Sequence, residues 1–144
     1  MSPVPDANAL RAELATREAE KAAAEERKRA ADEEERERWI ESLRHPKLGH
    51  EAEDRLAGRI ARAVADGKME LEALRFPKDL TTDNARAINN AEAGWEKSLT
   101  GLPKVAYEYW EVKLRAKGYR LRAEVVNYPG GMPGDCALFL SWGE

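Results

Sequence analysis

Apolar residues are distributed very unevenly along this chain. Between residues 15 and 38 there is no Val, Ile, Leu, Met, Phe, Trp or Tyr, and the segment consists of Ala, Glu, Arg and Lys with one Thr and one Asp. These are good helix formers, and residues 7–44 contain neither Gly nor Pro. We therefore predict a charged N-terminal helical segment over residues 1–44, with Asp6 as the N-cap, followed by a compact domain over residues 45–144.

The charged helix does not have the pattern of a strong coiled coil. Counting heptads from Leu14 places mostly charged residues in the seam, where a stable two-stranded coil needs Val, Ile or Leu. Acid–base pairs four residues apart, such as Glu13 and Arg17, support the helix itself. A solitary charged helix or a partly frayed tail is the favoured interpretation. A stripe of alanines leaves weak homo-oligomerisation through this helix as an alternative. Near its end, Trp39, Ile40 and Leu43 are expected to anchor it to the compact domain.

The first half of the compact domain begins with an amphipathic pattern. Leu56, Ile60 and Val64 recur every four residues and predict a helix over residues 51–65, which Gly67 terminates. Residues 69–76 alternate like a strand, and the phase slips at Leu74. Either a bulge or a short helix would explain that slip, and we favour the strand.

Two further helices are predicted before the last strands. Asp83 is expected to cap a short helix over residues 84–91. Thr100 is expected to cap a helix over residues 103–117, which Gly118 ends. Its buried side is predicted to carry Leu102, Val105, Ala106, Tyr109, Trp110 and Val112.

The C-terminal residues give the clearest strand signals. Residues 119–125 alternate apolar and charged side chains, and residues 136–142 form a second strand that is apolar on both faces. A strand of that kind belongs in the middle of a sheet. We predict an α+β fold: a long charged N-terminal helix followed by a small two-layer domain, with a mainly antiparallel sheet of about three strands packed on helices. If the last strand is central, the strand order is first–last–middle.

Composition and charge exclude several classes of protein. The 144 residues are 35% charged, yet the net charge is only −3, so no global field favours nucleic acid or membranes. The single cysteine, Cys136, excludes an intrachain disulfide scaffold. No apolar run suits a membrane helix, and the first six residues do not resemble a signal peptide. We expect a cytoplasmic protein without membrane contact, and the richness in Ala, Arg and Glu suggests a bacterial source.

The sequence contains no recognisable catalytic constellation. Motifs of serine hydrolases, zinc proteases, redox dithiols and P-loop enzymes are missing, and His45 and His50 lack convincing further metal ligands. We therefore expect no enzyme activity, no cofactor and no metal. The leading hypothesis is a non-enzymatic interaction or adaptor module that binds another protein. Its expected contacts are Trp39, Ile40, Leu43, Gly130, Gly131 and Met132, the last three in a Pro- and Gly-rich loop between the final strands.

Two other functions remain as alternatives. A basic run could bind nucleic acid or another polyanion through Lys113, Lys117, Arg120 and Arg122. A small-ligand site or an active site would need Arg86, Asn89, Asn90 and Asp135 to converge on one pocket.

Overall fold

The computed structural model describes residues 3–46 and 48–143 and confirms the α+β class. The helices are α1 (Ala7–Arg44), α2 (His50–Ala65), α3 (Arg86–Asn89) and α4 (Gly101–Tyr109). The strands are β1 (Glu70–Pro77), β2 (Arg120–Val125) and β3 (Asp135–Ser141). Over the residues described, no helix has the combination of length and apolar character that a membrane span requires.

The chain separates into two units, one ending at Trp39 and the other beginning at Ile40. The predicted boundary at residue 44, between a charged helix and a compact domain, stays a prediction. In the first unit, α1 follows the predicted range, and the Asp6 carboxylate accepts a hydrogen bond from the Asn8 N–H (3.4 Å). Every residue from Ala7 to Arg38 is exposed. Because none of these side chains is buried, local pairs such as Arg17–Glu13 (2.9 Å) support the helix over this stretch.

The sheet of the second unit has the order β1–β3–β2 with antiparallel neighbours, as predicted. The register of β1 against β3 shifts between Glu72 and Leu74, so the slip in the sequence pattern is a bulge in a strand. The register places one set of apolar side chains on a single face, where they form the floor of the core: Leu71, Leu74, Phe76, Leu121, Ala123, Val125, Cys136, Leu138 and Leu140.

Helix α2 begins at His50 and ends at Ala65, close to the predicted limits. Gly67 follows with φ +78° and donates its N–H to the Val64 carbonyl (3.0 Å), which confirms it as the terminator. The predicted apolar stripe is wrong at Val64, which is exposed, while Ala63 is buried. Steps of four residues turn a helix by more than one full turn, so the stripe drifts off the buried face by its third member.

The helix predicted over residues 103–117 is not continuous. Helix α4 ends at Tyr109, and a π-helical turn (Trp110–Leu114) and a 3₁₀ turn (Arg115–Lys117) follow it. The wider π turn changes the phase of the side chains. Val112 is therefore 73% exposed instead of buried, and Leu114 is buried in its place. Gly118 ends the segment with φ +93°, as predicted.

Two predicted helix starts differ from the structure. Thr100 occupies the N-cap position, as predicted, but α4 begins at Gly101. The Thr100 hydroxyl donates to the Leu80 carbonyl (2.7 Å) and makes no capping hydrogen bond. Helix α3 is shorter than predicted, because Asn84 and Ala85 have φ +54° and +65°, which do not fit a right-handed helix. The Asp83 carboxylate still accepts from the Ala87 N–H (3.0 Å), as its predicted role requires.

Candidate recognition loop and apolar cavity

The connection between β2 and β3 has a base fixed by hydrogen bonds. The Asn127 side-chain oxygen accepts from the Asp135 N–H (2.7 Å), and the Asn127 carbonyl accepts from the Gly134 N–H (3.0 Å). The Gly134 carbonyl in turn accepts from the Lys78 N–H (3.0 Å), at the end of β1. Arg75 of β1 donates to the Asp135 carboxylate (3.2 Å). Arg75 in β1 and Lys78 directly after it therefore hold the base of the loop to the sheet.

Gly134 is required at this base for steric reasons. A Cβ atom there would overlap the Asn127 side-chain oxygen and would lie 2.6 Å from the Pro129 ring. The absence of a side chain at position 134 therefore allows the two ends of the loop to approach each other closely.

The tip of the connection is exposed and carries large side chains. We call Tyr128–Met132 the recognition loop. Gly130 and Gly131 have φ +64° and +81°, and a Cβ at either would meet no atom within 4 Å. Met132 is 64% exposed and Tyr128 is 53% exposed. The Tyr128 hydroxyl donates to the side-chain oxygen of Asn89 in α3 (2.8 Å), so the aromatic ring is held in place while it faces solvent.

The four residues of the predicted ligand site differ in burial and in hydrogen-bond partners. Asp135 is buried and engaged by Arg75 and Asn127, and Asn89 is bound to Tyr128. Arg86 and Asn90 are exposed. None of the four predicted residues lines either of the two cavities described below. The convergence on one pocket that this alternative needs is not visible in those two cavities.

The four residues of the predicted basic patch also differ in their contacts. Arg122 pairs with Glu70 (3.1 Å) and with Glu124, and its guanidinium lies 4.3 Å from the centre of the Phe139 ring. The hydrogen bond that Arg122 donates to Glu124 is the main cause that raises the pKa of Arg122. Lys113, Lys117 and Arg120 are exposed, and Lys113 and Lys117 fall in the π turn and the 3₁₀ turn respectively. Two carboxylates therefore already offset the charge of Arg122.

The apolar residues near the end of α1 lie on both sides of the boundary between the two units. In the first unit, Trp39 is half-buried, and the Arg36 guanidinium lies 5.5 Å from its ring. In the second unit, Ile40 is half-buried and Leu43 is buried. A Cβ on Gly101, at the start of α4, would lie 2.5 Å from the Leu43 carbonyl oxygen. The last turn of α1 is thus in close backbone contact with α4.

Sequence reasoning did not find an apolar cavity of about 600 Å³ between α2, α4 and the core face of the sheet. Leu138 and Leu140 of β3 form its floor, and each is only 1% exposed. The apolar pattern of residues 102–110 is the one signal that could have indicated it, because Leu102, Ala106 and Trp110 are half-buried and line the cavity. A second, wider depression of about 940 Å³ lies along β1, on the side of Arg62 and Glu70.

A few polar side chains lie at the walls of the apolar cavity. Tyr109 is adjacent to Glu53 of α2, and burial, the charge of Glu53 and a hydrogen bond to it raise the pKa of Tyr109. Arg59 donates to the Ala73 carbonyl (3.0 Å) and to the Glu72 carbonyl, so its guanidinium binds the outer edge of β1 at the bulge. The cavity is therefore apolar except for Tyr109 and a small number of ionisable side chains.

Two further features bear on reactivity: the thiol of Cys136 and the grouping of metal-ligating side chains. Cys136 is fully buried, and burial together with Asp135 and Asp83 raises the pKa of its thiol to about 12. The thiol is therefore protonated at neutral pH and inert as a nucleophile. Among residues 3–46 and 48–143, no three His, Cys, Asp or Glu side chains are grouped so that they could hold a metal ion.

Comparison with known proteins gives no family for this chain: it matches none of the family models, curated proteins or solved structures with which it was compared.

Proposed function

We propose that this protein is a non-enzymatic protein-interaction module and that the recognition loop is its main contact. The observation that carries the proposal is the contrast between the exposed tip and the fixed base. Met132 and Tyr128 face solvent, while four hydrogen bonds fix the base. Met and Tyr are enriched in the cores of protein interfaces. A loop that is already ordered loses less conformational entropy when it binds.

Helix α1 gives the module a second, polar surface. Its 38 residues correspond to a length of about 57 Å. Because the residues from Ala7 to Arg38 are exposed, this helix is suited to act as a spacer or to bind a partner through its charges. The polyanion and small-ligand hypotheses from the sequence receive less support, since Arg122 is paired with carboxylates and Asp135 is engaged by Arg75.

Site-specific photocrosslinking tests the proposal in cells that make the protein natively. A photoreactive benzophenone side chain replaces Met132 in one variant and Val112 in a matched control. Both positions carry exposed apolar side chains, and Val112 lies in the π turn outside the recognition loop. We expect a discrete crosslinked product from position 132 that is missing or much weaker from position 112.

The mass of that product identifies the kind of partner. A product of twice the chain mass would make the partner a second copy, and any other discrete mass would make it a different protein. Equal labelling from both positions, or labelling from neither, would contradict the proposal that this loop is the recognition element.

A further inference from the structure

We propose that the apolar cavity is a binding site for a neutral, largely apolar small molecule that carries one hydroxyl group. The cavity is open to solvent on one side and has a volume of about 600 Å³. Ligand sites typically enclose about 300–1,000 Å³ and are lined mainly by hydrophobic side chains with few polar groups. The cavity meets each of these criteria.

The walls of the cavity match an aliphatic or aromatic ligand body. Leu56 of α2, Leu74 of β1 and Leu121 of β2 are half-buried, so part of each side chain can be reached from the cavity. Leu138 and Leu140 close it from below. An apolar molecule that covers these side chains gains the free energy of removing their surface from water.

Glu53 and Tyr109 determine the polar end of the ligand. Both residues line the cavity, and they are close enough that, besides burial, the charge of Glu53 contributes to raising the pKa of the Tyr109 phenol. A carboxylate has several acceptor positions and no donor, so Glu53 can accept a hydrogen bond from a bound molecule. A ligand hydroxyl supplies that donor without adding charge.

The charged side chains at the walls favour neither sign of ionic ligand. Glu53 repels a carboxylate or phosphate and attracts an ammonium group, while Arg55 and Arg59 do the reverse. His50, the remaining titratable side chain in the lining, stands at the start of α2. With both signs represented at the walls, a neutral hydroxyl is the polar group that meets least opposition.

The π-helical turn is an independent observation at the same place. Single π turns inside helices occur frequently at functional sites. Here the turn begins at Trp110 and ends at Leu114, which both line the cavity, and it leaves Val112 in solvent. A regular α-helix would not give this arrangement. The departure from regular geometry therefore shapes a wall of the cavity.

Titration calorimetry of the full chain with 1-octanol, octanoate and octylamine tests the ligand class. The three probes share one chain length and differ in the charge of the polar end. We expect saturable 1:1 binding of octanol, with the two ions weaker by about tenfold or more, a difference of about 1.4 kcal/mol in binding free energy. Octanoate or octylamine binding as tightly as octanol would overturn the assignment of a neutral hydroxyl.

Variants then test the location. Ala106→Phe and Ala52→Phe fill the cavity from opposite walls, and Ala57→Phe on the exposed side of α2 is the matched control. We expect both filling variants to abolish octanol binding and the control to retain it. Glu53→Leu should weaken octanol about tenfold and remove the preference among the probes, while Glu51→Leu, outside the cavity lining, should not.

Methyl NMR and light scattering also test the proposal. Should a filling variant not fold, methyl NMR of the unmodified protein replaces it: octanol must shift the Leu56 and Leu74 methyl signals and leave those of Leu14 in α1 unchanged. Absence of saturable binding, or shifts outside the cavity, would overturn the proposal. A dimer in light scattering that Ala106→Phe dissociates would also overturn it, because the cavity would then be an interface between copies.

Discussion

Helix α1 and strand β3 show two different ways in which residues of one chain are stabilised. From Ala7 to Arg38, α1 is exposed on every side, and its contacts are local pairs such as Arg17–Glu13. Strand β3 has neighbours on both edges, and Cys136, Ala137 and Leu138 are almost completely buried. Helix propensity and local pairs stabilise the first, and tertiary packing stabilises the second.

This difference has a consequence for cooperativity. A helix held by local interactions can open from its end or in part without disturbing other elements. A central strand cannot open without exposing the core face of the sheet to water. The same substitution should therefore have a small, local effect in α1 and a large, global effect in β3.

The largest expected effect is that of Leu138→Ala. Removing a buried leucine side chain typically lowers the free energy of unfolding by about 2–5 kcal/mol. Leu14→Ala is the matched control, because Leu14 is 59% exposed in α1, and it should change that free energy by less than about 0.5 kcal/mol. Urea unfolding followed by tryptophan fluorescence measures both. A similar loss of unfolding free energy in the two variants would contradict the distinction between a locally stabilised α1 and a strand β3 stabilised by tertiary packing.

The sequence was most informative where side-chain alternation was strong. The apolar character of both faces of β3 predicted its central place, and the structure confirms the order β1–β3–β2. The break in alternation at Leu74 predicted an irregularity that proved to be a bulge. In both cases, burial on a known face decides the structure, and burial is directly visible as a period of two.

Features that depend on tertiary contact could not be read from the sequence. The π turn at Trp110–Leu114 inserts extra backbone without any Gly or Pro to mark it, and the position of Val112 was wrong for that reason. The Thr100 hydroxyl binds Leu80, twenty residues earlier. The apolar cavity is formed by two helices and three strands together. The predicted contacts of the recognition loop stay predictions, since they concern a partner.

The contact between the last turn of α1 and the start of α4 can be tested at Gly101. This residue has φ +61°, and an added Cβ would lie 2.5 Å from the Leu43 carbonyl oxygen. Gly101→Ala should lower the free energy of unfolding by about 1–2 kcal/mol for the left-handed backbone and by about 1–3 kcal/mol more for the overlap. Gly118→Ala, with φ +93° and no atom near the added Cβ, isolates the backbone contribution. Equal effects in chemical denaturation would show that close contact with α1 contributes nothing.

An intermediate effect is expected at the base of the recognition loop. Asn127→Ala leaves the Asp135 N–H without its acceptor and removes one donor to the Asp135 carboxylate. A buried donor left unsatisfied costs about 1–3 kcal/mol. The melting temperature should fall accordingly, whereas Asn90→Ala at an exposed position should leave it nearly unchanged. A neutral Asn127→Ala would show that the loop base is not rigid, which would also weaken the proposed recognition role.

The smallest effect is expected within α1 itself. Ala23→Gly raises the free energy of the helical state by about 1 kcal/mol, because glycine loses more backbone entropy on folding than alanine. Ala23 belongs to the exposed part of α1, so this cost should appear only as faster amide hydrogen exchange around residue 23. Ala57→Gly makes the same change in α2, which packs beside β1, and it should instead lower the global stability. If Ala23→Gly accelerated exchange in β3 as well, α1 and the sheet would unfold as one cooperative unit, and the distinction between local and tertiary stabilisation would not hold for this chain.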